Sequence, residues 1–413
     1  MRLPFVRATW LAGLLLLVAC ATPPRSAHQT PPSTLLISVD ALRADYLQRG
    51  LTPNLSRLAS EGVRAEWMNP SYPSLTFPNH YAIVTGLRPD HHGIVHNNMS
   101  DAELGTFKLS DRDAVGDPRW WGGEPIWLGV MKSGQSAATL FWPGSEAPIG
   151  GTHPSLWKPY DETMPFDARV DQVLEWLAQP AATRPRVVTL YFDHVDHAGH
   201  DHGPNSPELR DALVETDNAI GRLVAGLKSH GLDGQVNIIV VSDHGMAEVA
   251  PDHVVAIEDM VPMQEAKIVS VGQVIGINPN PGFEAQAESR LLGAHERYDC
   301  WRKGEMPARW HYGSNPRIPA IVCQMHEGWD ALPRSIAEKR KAGGTHGSHG
   351  FDPALASMHA TFIANGPSFR RGVVLPAFDN VDVYPLLAKL AGITPAPNDG
   401  NPQTLLPALK DGR

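Results

Sequence analysis

The residues best suited to chemistry are aspartates and histidines gathered in four stretches. DHVDHAGHDHGP (193–204) has seven Asp or His among its twelve positions. SDHG supplies Asp243 and His244, GGTHGSHGFDP (343–353) supplies His346 and His349, and Asp40 directly follows TLLISV. Borderline divalent metals such as zinc favour mixed imidazole and carboxylate sites, with bonds of about 2.0–2.2 Å. Asp196 and His200 are four residues apart, a spacing that sets two side chains side by side on a helical turn. Asp243 and His244 are adjacent, so in an irregular turn they can converge on one ion or diverge toward two. The glycines around His346 and His349 permit close approach of backbone to a metal or a phosphate. Any one of these histidines reads as an ordinary surface or core residue; the set reads as a metal centre.

Thr76, in LTFPNHYAIVTG, offers a nucleophile for such a centre. Pro78 reads as the first turn of a helix, which brings the Thr76 hydroxyl to a helix N-terminus, a favourable place for a phosphate or an alkoxide. The plainer reading is a helix cap. A threonine hydroxyl attacks poorly at neutral pH unless a metal or base activates it. Zinc lowers the pKa of bound water from about 15.7 to about 7, and a bound hydroxyl should respond in the same sense.

A frame has to hold these residues, and the hydrophobic pattern describes it. TLLISV (34–39), SAATLFW, RVVTLYF (186–192), NIIVVS (237–242) and ATFIANG read as short buried strands. TPNLSRLASEG reads as a helix with Thr52 as N-cap, Pro53 at its first position and Gly62 as its stop. FDARVDQVLEWLAQ puts Val170, Val173, Leu174 and Leu177 on one helical face, and Ser206 caps a long helix that ends before Gly231. Further helices are expected in GEPIWLGVMKSG, EAQAESRLLGA and around DVYPLLAKLAG. The alternation predicts an α/β sandwich with a mostly parallel central sheet and helices on both faces. Ligands of such sheets bind beyond the carboxyl ends of the strands. Asp40, DHVDHAGH and Asp243-His244 all stand at such ends. Residues 34–413 read as one domain, with 251–332, richer in irregular elements, as a packed insertion.

The chain has 413 residues, 42% hydrophobic and 19% charged, which suits a globular body. Residues 1–20 place Arg2 and Arg7 before an apolar run ending in Cys20, a signal-peptide pattern. LVAC resembles the lipobox of bacterial lipoproteins, with cleavage of a plain secretory signal near ACA as the alternative. Residues 21–33 read as a Pro-rich tether. The expected address is the periplasmic face of the envelope, and the lack of Asp after Cys20 points to the outer membrane. The only membrane contact foreseen is a lipid anchor at Cys20. The net charge of −9 becomes −11 once Arg2 and Arg7 leave with the leader, which disfavours long nucleic acids as partners. No protein partner is evident. Cys300 and Cys323 can form a disulfide in an oxidising compartment or remain two thiols.

The ordered motifs SVDALRADYL, YPSLTFPNHYAIVTGLRPDHHGIVHNNM, WGGEPIW, FWPGS, YFDHVDHAGHDHGP, VVSDHGM, RWHYGSNPRIPAIV and HGSHGFDP resemble the nucleotide pyrophosphatase/phosphodiesterase family of the alkaline phosphatase superfamily, from about residue 34 to 392. The resemblance implies an alkaline-phosphatase-like sandwich and two zinc ions per chain, other divalent metals being possible. Asp40, Thr76, Asp243 and His244 would hold one ion; Asp196, His200 and His349 would hold the other. Thr76 would be the nucleophile. Asn97 and the backbone N–H near Phe77 would bind a phosphate oxygen, while Phe77 and Tyr160 would sandwich a nucleobase. Such a centre hydrolyses a small phosphodiester or nucleotide and releases nucleoside 5′-monophosphates by way of a covalent Thr76 intermediate. Asn79, His80 and His92 are expected to be structural or to support the ligands from behind, with no catalytic role. Asn98 stands where several relatives carry Lys, which leaves the preference for pyrophosphates open.

Two other readings compete. One is a choline-phosphate or lysophospholipid esterase or a phosphomonoesterase of the same superfamily, since Phe77 and Tyr160 can also cage a quaternary ammonium. No cationic residue adjoins Thr76 in sequence to favour the monoester. The other is an envelope lipoprotein that binds zinc without catalysis. A sulfatase is disfavoured, because no cysteine lies in a motif able to mature into its nucleophile.

Overall fold

Ser33–Val39 is buried along its whole length, and its side chains divide between two cores. In the computed structural model, which describes residues 31–410 together with 1, 4 and 5, Leu36 packs into one core and Leu35, Ile37 and Val39 into the other. Val236–Val241 repeats the division, with Ile239 and Val241 facing one way and Ile238 and Val240 the other. This is the period of two that a strand imposes, and burial on both faces explains the nearly unbroken apolar runs.

These strands belong to an eight-stranded sheet in the order Val373–Leu375, Val63–Ala65, Phe362–Asn365, Val236–Val241, Ser33–Val39, Val187–Phe192, Ala137–Leu140, Leu156–Lys158. Phe362–Asn365 runs antiparallel to both its neighbours and the other pairings are parallel, so the sheet is mixed but mostly parallel. Helices Thr76–Thr85, Ile126–Lys132 and Val383–Ala391 feed the core on one face; Pro53–Glu61, Phe166–Leu177 and Pro207–Ser229 feed that on the other. Among the described residues no helix is long and apolar enough to cross a membrane.

Three expectations need correction. Thr52 holds the N-cap position as expected, but its side chain makes no capping bond: the hydroxyl is buried without a partner, and Asp217 of the helix Pro207–Ser229 accepts the N–H groups of Asn54 and Leu55 instead. A carboxylate from another element thus satisfies the free donors of the first turn. The stretch 251–332 is also more regular than its composition suggests. It contains a five-stranded antiparallel sheet, Ala266–Ser270, Val274–Pro279, Ile321–Met325, Tyr298–Arg302 and Gly293–Ala294 in spatial order, over a separate apolar cluster. Cys300 and Cys323 face each other on adjacent strands of that sheet and form a disulfide, which decides between the two alternatives. Cys20 and nearly all of the signal peptide and the tether lie outside the described residues; Ser33, given to the tether, opens the first strand.

Candidate metal centre and active-site cleft

Three adjacent parallel strands deliver the candidate ligands to one edge of the sheet. Asp40 follows Ser33–Val39, Asp243 and His244 follow Val236–Val241, and Val187–Phe192 leads through Asp193 into the helix His194–His202. One helical turn carries both Asp196 and His200. Ala41 takes a left-handed φ of 56° that costs about 1–2 kcal/mol for a residue with a Cβ, and its N–H donates to Asp243 Oδ1 at 3.2 Å. Two glycines make room. A Cβ on Gly245 would meet Ser357 O at 2.0 Å, and one on Gly347 would meet Gly199 O at 2.4 Å. The second contact lets His346–Ser348 lie against the helix that bears His200.

The histidines are held alike. His200 Nδ1 donates to Gly347 O at 3.0 Å, His244 Nδ1 to Gly245 O at 2.9 Å and His349 Nδ1 to Ser74 O at 3.0 Å. A carbonyl only accepts, so each ring keeps its proton on Nδ1 and turns an Nε2 lone pair inward, the usual way a second group fixes a metal-binding imidazole. His200 Nε2 lies 3.5 Å and His349 Nε2 3.6 Å from Asp196 Oδ1. His244 Nε2 lies 2.9 Å from Asp243 Oδ2, 3.4 Å from Asp40 Oδ1 and 3.3 Å from Thr76 Oγ1. The rings of His244 and His349 stack at 3.6 Å, so the two groups of ligands adjoin.

Asp40 Oδ1, Asp196 Oδ1 and Asp243 Oδ2 are buried without a hydrogen-bond partner. A bare carboxylate oxygen is costly to bury, and a cation is the partner that suits all three. Among the described residues, the side-chain groups that could hold an ion are Asp196, His200 and His349; Asp40, Asp196 and His244; and Asp40, His80 and Asp243. His80 is the unexpected member. Its Nδ1 faces Thr76 O at 2.9 Å and its Nε2 faces Ser38 Oγ at 2.8 Å, so both nitrogens are engaged and it buttresses the centre.

Burial, reinforced by the charges of Asp243 and Asp196, pushes the Asp40 carboxyl well above its usual range. Burial acts on Asp243 in the same sense but is outweighed by the positive charge that His244 and His80 carry when protonated, which holds it well below that range; burial lowers His244, but the Asp243 charge outweighs it and raises that ring in turn. Burial and the neighbouring His244 and His200 push His349 down, which keeps its imidazole neutral.

Thr76 is the first residue of the helix Thr76–Thr85, with Leu75 rather than Thr76 in the cap position. Its hydroxyl opens on a cleft of about 250 Å³ that also meets Asp40, Phe77, Asn97, Tyr160 and His349. Phe77 N–H is not free for a substrate oxygen, because it donates to Asn97 Oδ1 at 2.9 Å. That bond orients the amide and leaves the Asn97 NH₂ as the donor available to the cleft.

Sequence reasoning missed several groups here. Arg112 and Glu146 pair with each other at the cleft wall, and Glu162 also lines it. His197 lines it too. Asp193 is buried and paired with Arg169. The apolar face of FDARVDQVLEWLAQ offered one signal, because Arg169 directly precedes Val170 and so borders that face.

Residues 34–352 match the family model described as type I phosphodiesterase / nucleotide pyrophosphatase. Ectonucleotide pyrophosphatase/phosphodiesterase family member 3 of Mus musculus is 38% identical over 391 residues, which are 92% of this chain and 44% of that protein. A venom phosphodiesterase of Crotalus durissus collilineatus is 37% identical over 399 residues, 94% of this chain and 47% of that protein. The chain therefore spans about half the length of the curated relatives it matches. These are animal proteins and lend no support to a bacterial source. Among solved structures, murine ectonucleotide pyrophosphatase / phosphodiesterase 5, an inactive form in complex with AMP, superposes with a TM-score of 0.86 at 32% identity, covering 92% of this chain and 100% of that one.

Proposed function

Because the chain belongs to the type I phosphodiesterase / nucleotide pyrophosphatase family, we propose that it hydrolyses nucleotide phosphodiester or pyrophosphate bonds and releases nucleoside 5′-monophosphates through a covalent Thr76 intermediate. The carrying observation is the placement of Thr76 Oγ1 beside His244 at the floor of a cleft that also holds Phe77 and Tyr160.

Three orphaned carboxylate oxygens and three inward Nε2 lone pairs fit two divalent cations. Asp40, Thr76, Asp243 and His244 would hold one zinc; Asp196, His200 and His349 would hold the other. When bound, the ions supply the positive charge that lowers the pKa of a hydroxyl and offsets the charge of a phosphoester. Thr76 Oγ1 then attacks phosphorus in line with the leaving oxygen, which departs as the bond to Thr76 forms. The Asn97 NH₂ donates to a nonbridging oxygen, a contribution of about 2.7–4 kcal/mol for one well-placed donor. Phe77 and Tyr160 hold the base, and water releases the nucleotide from Thr76.

A second reading draws on Glu162, a carboxylate beside the aromatic side chains of Phe141, Trp142 and Tyr160 in the same cleft. That lining also suits a phosphocholine ester. Turnover of nitrophenyl-TMP, ATP and nitrophenyl-phosphocholine decides between them. Preference for the first two supports the nucleotide reading, and preference for the third replaces it. Binding of two ions with no turnover of any of the three leaves a zinc-binding protein. Thr76→Ala with normal nitrophenyl-TMP turnover would remove the covalent step.

The reading extends to location: an exported catalytic domain (34–413) behind a cleaved leader, lipidated at Cys20 on the periplasmic face of a bacterial outer membrane. Incorporation of labelled palmitate that is lost in Cys20→Ser tests it; equal labelling of both forms rejects the anchor.

A further inference from the structure

Asp193 was a leftover member of the Asp/His cluster, yet it is 1% exposed and closely held. It lies two residues beyond Tyr191, so the two side chains project to the same side of the chain leaving the strand. Tyr191 donates its hydroxyl to Asp40 Oδ2 at 2.6 Å, and Asp193 Oδ2 receives the Tyr160 hydroxyl at 2.7 Å. Arg169, 0% exposed, faces both Asp193 oxygens at 3.2 and 3.3 Å. It also donates to Tyr191 O at 3.0 Å, Met164 O at 3.0 Å and Glu162 O at 3.3 Å. Two of those carbonyls belong to the segment that directly follows Tyr160.

A buried ion pair is weak evidence for stability, since apolar side chains of similar volume serve as well or better. What this pair supplies is geometry. The Tyr160 ring is only partly buried and meets Phe141 edge-on at 5.5 Å, so apolar packing leaves one face toward the cleft. The bond to Asp193 fixes the far end of that ring, and Arg169 fixes both Asp193 and the chain beyond Tyr160. Asp193 also adjoins the helix that carries Asp196 and His200.

We propose that Asp193 and Arg169 form a buried strut that holds the Tyr160 ring at the stacking distance of a substrate nucleobase and ties it to the helix bearing Asp196 and His200. Both are positioning residues that set the preference for nucleotide diesters over diesters without a base. The inference rests on the assignment of Tyr160 to base stacking made above.

The test compares kcat/KM for nitrophenyl-TMP with that for methyl p-nitrophenyl phosphate, which shares the leaving group and lacks the base. Tyr160→Phe keeps the ring and removes the bond to Asp193. Its nucleotide preference should fall about tenfold, equivalent to about 1.4 kcal/mol, with the loss carried by KM for nitrophenyl-TMP rather than by kcat. Tyr160→Ala should lose at least as much. If Tyr160→Ala lowers the preference and Tyr160→Phe does not, the strut is refuted and the stacking assignment stands. If neither variant lowers it, the stacking assignment itself fails and the strut with it. Asp193→Asn, checked for folding by its melting curve, should lower the same ratio with bound metal unchanged. Loss of metal with the ratio preserved would assign Asp193 to the metal centre instead.

Discussion

His200→Ala isolates one half of the centre. His200 supplies one of three side chains around the second candidate position, with its Nε2 3.5 Å from Asp196 Oδ1. Its side chain is 39% exposed, so truncation removes a ligand with little loss of packing. A site held at a free zinc concentration 100 to 1,000 times its Kd stabilises the fold by about 2.7–4.1 kcal/mol. The folded body has about 380 residues. At about 2.1 cal/mol/K per residue its unfolding entropy is about 0.8 kcal/mol/K, so losing that term lowers Tm by about 3–5 °C. The assay is bound zinc per chain by elemental analysis, with melting curves in excess zinc and in chelator. His200→Ala should bind one ion fewer than wild type and melt about 3–5 °C lower in zinc, while the two proteins melt within about 1 °C of each other in chelator. His197→Ala, on the same helix and in none of the three ligand groups, should keep the wild-type ion content. The assignment is wrong if His200→Ala retains both ions, if its deficit persists unchanged in chelator, or if His197→Ala loses an ion as readily.

Two further predictions concern stability. His92 is buried, and burial, only partly offset by the bond to Pro78 O, pushes it down to about 3 from an ordinary value near 6.5. The unfolded chain therefore takes up this proton first, and folding loses about 1.4 kcal/mol per pH unit as pH falls from about 6.5 toward 3. His92→Asn can still accept the Ile94 N–H bond but does not titrate, so its stability deficit against wild type in urea melts should narrow between pH 6.5 and 4.5; a constant gap refutes the assignment. The disulfide joins residues separated by 23 positions, a loop whose closure is worth about 3 kcal/mol. Cys323→Ala should melt about 4 °C below the oxidised wild type, and reductant should lower only the wild type; equal melting of the oxidised proteins would show that the bridge contributes nothing.

The sequence by itself determined the parts of this protein that depend on local pattern. Runs such as TLLISV, RVVTLYF and NIIVVS must be strands buried on both faces, because only that environment takes β-branched apolar residues without alternation. Parallel neighbours end on the same edge, so Asp40, the 193–204 cluster and Asp243-His244 had to lie together once those strands paired. Spacing made Asp196 and His200 a candidate pair on one helical turn, but Asp193 with His197 and His197 with Asp201 share that spacing, and the family resemblance singled out the ligands.

Tertiary structure alone decided what chain distance conceals. Arg112 and Glu146 meet across 34 residues, and Asn54 finds its capping carboxylate on Asp217, 163 positions away. The antiparallel sheet in 266–325 was hidden because its strands are short and only partly apolar, so pairing rather than periodicity defines them. His80 was expected to be structural or to support the ligands from behind, and only the fold shows which groups it braces: its bonds to Ser38 and Thr76 set it against Asp243. Asp193 changed most. The sequence placed it at the end of the strand RVVTLYF and gave it no partner. Only the fold brings Arg169 and Tyr160 to the same carboxylate, and a buried charge takes its meaning from its partners.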